Sequence, residues 1–356
     1  MDLIIPQKTE NISEYVKKMP KPELHRHIEG CVRPATVLEI AKKRGLELPS
    51  YNLAELERLY RVREQGESLD KILERFAMAQ NSFQTYEDVE RITWEACEDA
   101  YRKENVRLLE LRYSPDFMLG DRLDWQKAHE IINSTLCDFE KKYPVLCGII
   151  IIFSRSYGLK SAEKTAEFAI LNRKNIIGFD LADSESLYPP ALYAKIAARL
   201  HDNGISLTVH SGEEGDWHNM ADCIRLLKPQ RIGHGVKAAD DKSCGLMKAV
   251  MDFGILLETN PWSNYLTRAT ETPEAHPLKK FLDFGIRCSI GADDPELLDT
   301  DLNREYLLAA TRMGLDIADL EICRANAAEA SFLPKDKKQQ AFIELGIQEN
   351  TKQTIL

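Results

Sequence analysis

The sequence has no C-x-x-C pair: its eight cysteines, Cys31, Cys97, Cys137, Cys147, Cys223, Cys244, Cys288 and Cys323, stand singly. That pattern offers neither a zinc ribbon nor a redox couple. Single thiols, with no leader-like start because Asp2 and Pro6 interrupt it, lead us to expect a cytoplasmic protein with reduced cysteines. Long hydrophobic runs are missing too; the longest, "VLCGIIIIF", is far short of a membrane span. There is no surplus of positive charge. The formal charge is −10, which argues against nucleic acid or an anionic membrane as the main partner. A small ligand, neutral or weakly cationic, suits it better. Finally, no internal repeat, low-complexity segment, G-x-G-x-x-G, phosphate-binding P-loop or G-x-S-x-G is present.

What is present is an alternation. At 356 residues, 44% hydrophobic and 29% charged, the chain suits one large α/β barrel that needs no disulfide staples. Eight short apolar runs recur: "ELHRHI", "RLLELRYSP", "LCGIIIIFSR", "IIGFDLAD", "ISLTVHSGE", "RIGHG", "GILLETNP" and "IRCSIGADDP". Several are continuous and β-rich, as parallel strands covered on both faces should be. Helical patterns lie between them, such as "SAEKTAEFAILNR" and "PALYAKIAARLHDNG", the latter capped at Gly204. Eight strand–helix units predict a (β/α)8 TIM barrel over residues 20–334. An N-terminal extension (1–19) and a peripheral C-terminal tail (335–356) would flank it. The long interval 35–106 must hold extra helices after the first strand, one with a core-facing stripe of Leu69, Ile72, Leu73 and Phe76.

Barrel enzymes carry their chemistry at the C-terminal ends of strands. The unusual polar residues fall there: His25 and His27 on strand one, His210, Glu213 and Glu214 on strand five, His234 on strand six, Asp293 and Asp294 on strand eight. Residues i and i+2 of a strand face one way, so His25 and His27 can share one ion. With His210 and Asp293 they offer three imidazoles and a carboxylate, a set for a borderline divalent metal, zinc first. The His27-Ile28-Glu29 triplet also matches the H-x-E of cytidine-type deaminases. Those require P-C-x-x-C as well, which is absent, so that fold is rejected. Trp262, Trp217 and Phe117 lie near strand ends, and we expect ordinary packing from each.

The motifs "KPELHRHIEG", "LELRYSP", "DLADSE", "VHSGEEG", "RIGHG", "PWSNYLT" and "GADDP", followed by "NAAEASFL", occur in one order over roughly residues 20–334. Together they resemble the adenosine deaminase family, zinc-dependent (β/α)8 barrels that hydrolyse 6-aminopurines. The resemblance implies one zinc ion per subunit, held by His25, His27, His210 and Asp293. It implies catalytic roles for Glu213, protonating purine N1, for His234, positioning the attacking water and helping to accept its proton, and for Asp293. It places His27, Glu29, Asp183 and Asp294 at the substrate: Asp294 on N7, the amide of Asp183 on N3, Glu29 toward the ribose. The implied partners are a small 6-aminopurine and water, with no nucleic acid or membrane; a homo-oligomer is left open.

Three departures blur the substrate. Adenosine deaminases of the best-known type carry Asp where Glu29 stands. Their purine-edge glycine is replaced by Asp183, whose carboxylate could bond a sugar hydroxyl or an extra polar group, or narrow the pocket. "SGEEG" and the serine of "DSE" lean toward adenine deaminases, while "RYSP" and "PWSNYLT" lean toward adenosine. Adenosine, with 2′-deoxyadenosine, is the leading expectation. Adenine and a modified adenosine such as aminodeoxyfutalosine are the rivals within the family, and a catalytically silent barrel is the rival outside it.

Overall fold

The computed structural model describes residues 12–66 and 69–347. Eight parallel strands run in chain order: β1 (Lys21–His27), β2 (Val106–Tyr113), β3 (Leu146–Ser154), β4 (Gly178–Ala182), β5 (Leu207–Ser211), β6 (Arg231–His234), β7 (Leu256–Thr259) and β8 (Cys288–Ile290). The last closes on the first through a short bridge rather than a full ladder. His27 N–H donates to Asp293 O at 3.0 Å, and Asp293 N–H donates to His25 O at 2.9 Å. All eight apolar runs are strands, and the expected barrel is the observed fold. β3 shows why: its run of isoleucines is buried throughout, as covered parallel strands require.

Between β1 and β2 lie four helices, Pro34–Arg44, Leu53–Tyr60, Leu69–Gln80 and Tyr86–Arg102. Of the stripe expected on the third, Phe76 packs against the core and meets the Phe117 ring at 6.3 Å; the side chains of Leu69, Ile72 and Leu73 lie outside the described residues. Side chains start the helices that follow β5 and β8: Asp216 accepts from Asn219 N–H at 2.9 Å, and Asp301 accepts from Arg304 N–H at 2.8 Å.

Each flank of the barrel carries a helix. Ile12–Lys18, within the extension, is a helix that buries Val16. Lys335–Leu345, read as the start of a peripheral tail, is a helix whose Ala341 and Leu345 join Leu24, Leu108, Leu146 and Leu256 in an apolar cluster. Its opening "KDKKQQ" is polar, but the apolar residues arrive four apart, at 341 and 345, on one helical face. Among the described residues no helix is long and apolar enough to cross a membrane.

Candidate active site

The strand ends bring His25, His27, His210 and Asp293 together, with one ligand-type atom from each lying within 4.8 Å of the others. His25 Nε2 is 3.2 Å from His210 Nε2 and 3.3 Å from His27 Nε2. Asp293 Oδ1 is 3.3 Å from the Nε2 of both His25 and His27. The far sides of two rings are anchored: His25 Nδ1 lies 2.7 Å from Glu258 Oε2, and His210 Nδ1 lies 3.0 Å from Asp180 Oδ2. Those carboxylates hold the ring protons on Nδ1, so the Nε2 lone pairs of His25 and His210 point at each other. Lone pairs face to face in a buried place repel unless a cation lies among them. The donor set therefore fits a divalent ion, and the carboxylate behind each imidazole is the usual support for a metal-binding histidine.

Glu213 and His234 stand beside this group. His234 Nε2 is 3.3 Å from Glu213 Oε2, and Thr267 Oγ1 donates to Glu213 Oε1 at 2.8 Å. Burial, reinforced by the Asp293 carboxylate, pushes the Glu213 carboxyl up to about 7. Burial also raises Asp294 and Glu29 to about 7 and holds His234 down at about 3. Glu29 is 3% exposed; its Oε1 accepts from Ser114 N–H at 2.8 Å, while Oε2 is buried without a partner. Asp294 Oδ1 is likewise buried and unpartnered. Each of these two carboxyl groups thus has a buried oxygen to which no protein group donates, an uncommon arrangement for a buried polar atom.

The backbone is shaped for the purpose. His234 (φ +66°), Asp293 (φ +62°) and Asp183 (φ +79°) all adopt the left-handed conformation, which costs a non-glycine residue about 1–3 kcal/mol. Gly30 has the opposite reason for its identity. A Cβ there would lie 2.0 Å from Asp294 Oδ1, so only glycine lets the loops after β1 and β8 close on each other.

The Asp183 carboxylate is held by the protein itself. The residue keeps the glycine-like backbone, but Oδ2 accepts from Ser154 Oγ at 2.9 Å and Ser156 N–H at 3.1 Å, and Oδ1 accepts from Ser184 N–H at 2.7 Å. The side chain is committed to the loop after β3, and those bonds keep its pKa below the usual aspartate range against the effect of burial. Trp262 is packing, as expected: its ring nitrogen donates to Leu298 O at 2.9 Å and the Arg304 guanidinium lies 4.0 Å from the ring centre.

Sequence reasoning missed several residues that hold the site. Glu185 Oε2 accepts from Gly212 N–H (2.7 Å), and Oε1 accepts from the N–H groups of Glu213 (2.9 Å) and Glu214 (3.1 Å). Glu214 returns the contact, accepting from Glu185 N–H at 2.8 Å and Ser186 N–H at 3.2 Å. This reciprocal clasp sets the loop carrying Glu213. Asp180, Glu258, Asn260, Asn264 and His276 were also missed. The strand-borne Asp180 and Glu258 had a signal, an acid inside an apolar run; His276 had none.

An adenosine deaminase family model matches residues 20–345. An adenosine deaminase of Clostridium botulinum (strain Okra / Type B1) is 34% identical over 324 residues, covering 91% of this chain and 96% of that protein. The crystal structure of adenine deaminase from Arthrobacter aurescens is similar in fold, with a TM-score of 0.83 at 23% identity over 92% of this chain and 98% of that one. So is an amidohydrolase from Burkholderia ambifaria with bound Zn, with a TM-score of 0.83 at 23% identity over 96% and 94%. At such identities the two structures speak for the fold.

Proposed function

Because the chain belongs to the adenosine deaminase family, we propose that it replaces the 6-amino group of adenosine, and of 2′-deoxyadenosine, by oxygen, releasing inosine-type products and ammonia. The observation that carries this reading is the juxtaposition of Glu213, raised to about 7, with the donor group of His25, His27, His210 and Asp293. Those four residues would hold one zinc ion per subunit, a choice favoured by their nitrogen-rich set. When bound, such an ion lowers the pKa of water toward 7 and so makes a nucleophile available at neutral pH.

The protein's own groups do the rest. Glu213, in its protonated form, gives its proton to purine N1 as the new C6–O bond forms, so the ring does not carry the added negative charge. A positioned acid of this kind contributes about 10²–10⁴-fold. The amino group takes up the proton given up by the attacking water and leaves as ammonia when the C6–N bond breaks, the remaining hydroxyl proton returns to Glu213, and the ring is left as a 6-oxopurine. Asp294, raised to about 7, can donate to N7 in its protonated form. His27 would border the substrate from the metal side. The Asp183 amide would meet N3, while its carboxylate braces the loop behind. Glu29 would read the sugar.

One feature favours a second reading, the free base adenine. Glu29 is almost wholly buried and is a methylene longer than the aspartate that adenosine deaminases of the best-known type carry there, so it would leave less room beside the purine. A panel of adenosine, 2′-deoxyadenosine, adenine, AMP and 5′-modified adenosines, compared by kcat/KM with the zinc-loaded enzyme, separates the readings. We expect adenosine to lead; adenine turned over better than adenosine would overturn the nucleoside reading. Thiols that stand singly fit the cytoplasmic setting we propose, with substrate and water as the partners, and sedimentation of the purified chain tests for the homo-oligomer.

A further inference from the structure

We propose that a relay of buried side chains, from His276 through Asn264, fixes the tautomer of His234 with its proton on Nε2, which makes Asn264 and His276 positioning residues. The catalytic consequence rests on the deaminase reading above; the tautomer itself does not.

The argument starts from a group whose role cannot change. The backbone N–H of Leu278 donates to His276 Nδ1 at 3.2 Å. That nitrogen must therefore present its lone pair, and the neutral His276 ring carries its proton on Nε2. His276 Nε2 lies 3.1 Å from Asn264 Oδ1, so it donates to the amide oxygen. The orientation of Asn264 is thereby set: its NH2 end is the one 2.9 Å from His234 Nδ1. An amide NH2 only donates, so His234 Nδ1 accepts. Asn260 Nδ2, at 3.2 Å, aims a second amide at the same nitrogen. With Nδ1 accepting, the proton of neutral His234 sits on Nε2, the atom that faces Glu213 Oε2 at 3.3 Å. His276, Asn264 and His234 are 4%, 0% and 1% exposed, so water has little access with which to supply alternative partners.

The consequence is specific. A neutral ring protonated on Nε2 has no lone pair there with which to take a proton from water. His234 therefore acts as a donor that holds and orients an oxygen, and the proton given up by the attacking water goes to a carboxylate of the site. This reverses half of the role that family resemblance implies for His234.

The test is a long-range 1H–15N correlation spectrum of the zinc-loaded full chain labelled with 15N-histidine, assigned with His234→Gln. We expect a protonated Nε2 and an unprotonated Nδ1 on His234; a proton on Nδ1 overturns the proposal. Asn264→Asp places an acceptor against Nδ1 and should move the proton there. It should lower kcat by about 10²-fold or more with a smaller change in KM, since a wrongly held tautomer is costly in histidine catalysis. His276→Gln, which can accept from Leu278 and donate to Asn264, should keep most of the turnover that His276→Phe loses. An Asn264→Asp enzyme with unchanged tautomer and kcat overturns the proposal. If Asn264→Asp does not fold, the wild-type spectrum still decides. No ammonia from any purine would refute the deaminase reading while leaving the spectrum to judge the tautomer.

Discussion

Two levels of the same barrel interior treat charge in opposite ways. In the middle level every carboxylate meets a cation. Arg112 pairs with Asp180 and with Glu258 at 2.8 Å each, and Arg231 pairs with Glu258 and with Glu110 at 2.7 Å each. At the level above, toward the strand ends, imidazole nitrogens and a carboxylate face one another, and Glu29 and Asp294 each bury an unpartnered oxygen. The levels are joined, because Glu258 and Asp180 are also the supports of His25 and His210. A buried charge must be paired or it pulls something in. The middle level pairs its charges within the protein; the upper level gathers donors without such partners, as the proposed ion and substrate would require.

The sharpest way to separate the levels is to neutralise one acid of each. Glu213→Gln should lower kcat by about 10²–10⁴-fold, the usual contribution of a positioned acid, while metal content stays at the wild-type value. Single-turnover kinetics with parallel metal analysis checks it, and near-normal kcat would remove Glu213 from the acid role. Arg112→Met attacks the middle level. It leaves Asp180 and Glu258 short of their shared cation and should cost about 3–5 kcal/mol of stability, read from urea unfolding. A loss below about 1 kcal/mol would mean that the middle level is not held by its charge balance. Glu29→Asp is milder and belongs wholly to the upper level. It should change preference among 5′-modified adenosines by about tenfold, the scale of one methylene in a pocket. An unchanged profile would show that Glu29 does not read the sugar.

The smallest effect comes from a buried acid outside both levels. Glu305, 1% exposed, accepts from Trp262 N–H at 2.9 Å and from Thr300, and burial raises its pKa from 4.5 to about 8. The folded chain thus keeps this proton between pH 4.5 and 8, where the unfolded chain releases it. Stability from this group is full below pH 4.5 and declines as pH rises to 8. Glu305→Gln can accept from Trp262 and donate to Thr300 without titrating, so its urea midpoint should fall less than the wild type's from pH 5 to pH 8. Equal falls would assign the pH dependence elsewhere.

The barrel was legible because covered parallel strands leave continuous apolar runs, and eight of them stand in the chain. The metal-type donors were legible because a strand puts His25 and His27 on one side and because acids or histidines ended other strands. The supports were harder to find. Glu185 and His276 lie on loops and Asn264 on the short helix Pro261–Leu266, segments whose paths only the folded chain defines, and a polar residue there looks the same whether it holds a neighbour or faces water. Asp183 shows the limit most clearly: its position at a strand end was readable, but the direction of its carboxylate depended on Ser154 and Ser156 from the preceding strand–helix unit.

The seam between β8 and β1 has a consequence for biosynthesis. The donors at 25 and 27 emerge from the ribosome early, the one at 210 much later, and Asp293 only when the last strand does. A nascent chain can therefore hold three nitrogens at most until the barrel is nearly complete, and the bridge from Asp293 to His25 and His27 forms in the same event that completes the donor set. If these four residues hold an ion as proposed, its full affinity is reserved for chains translated past the eighth strand.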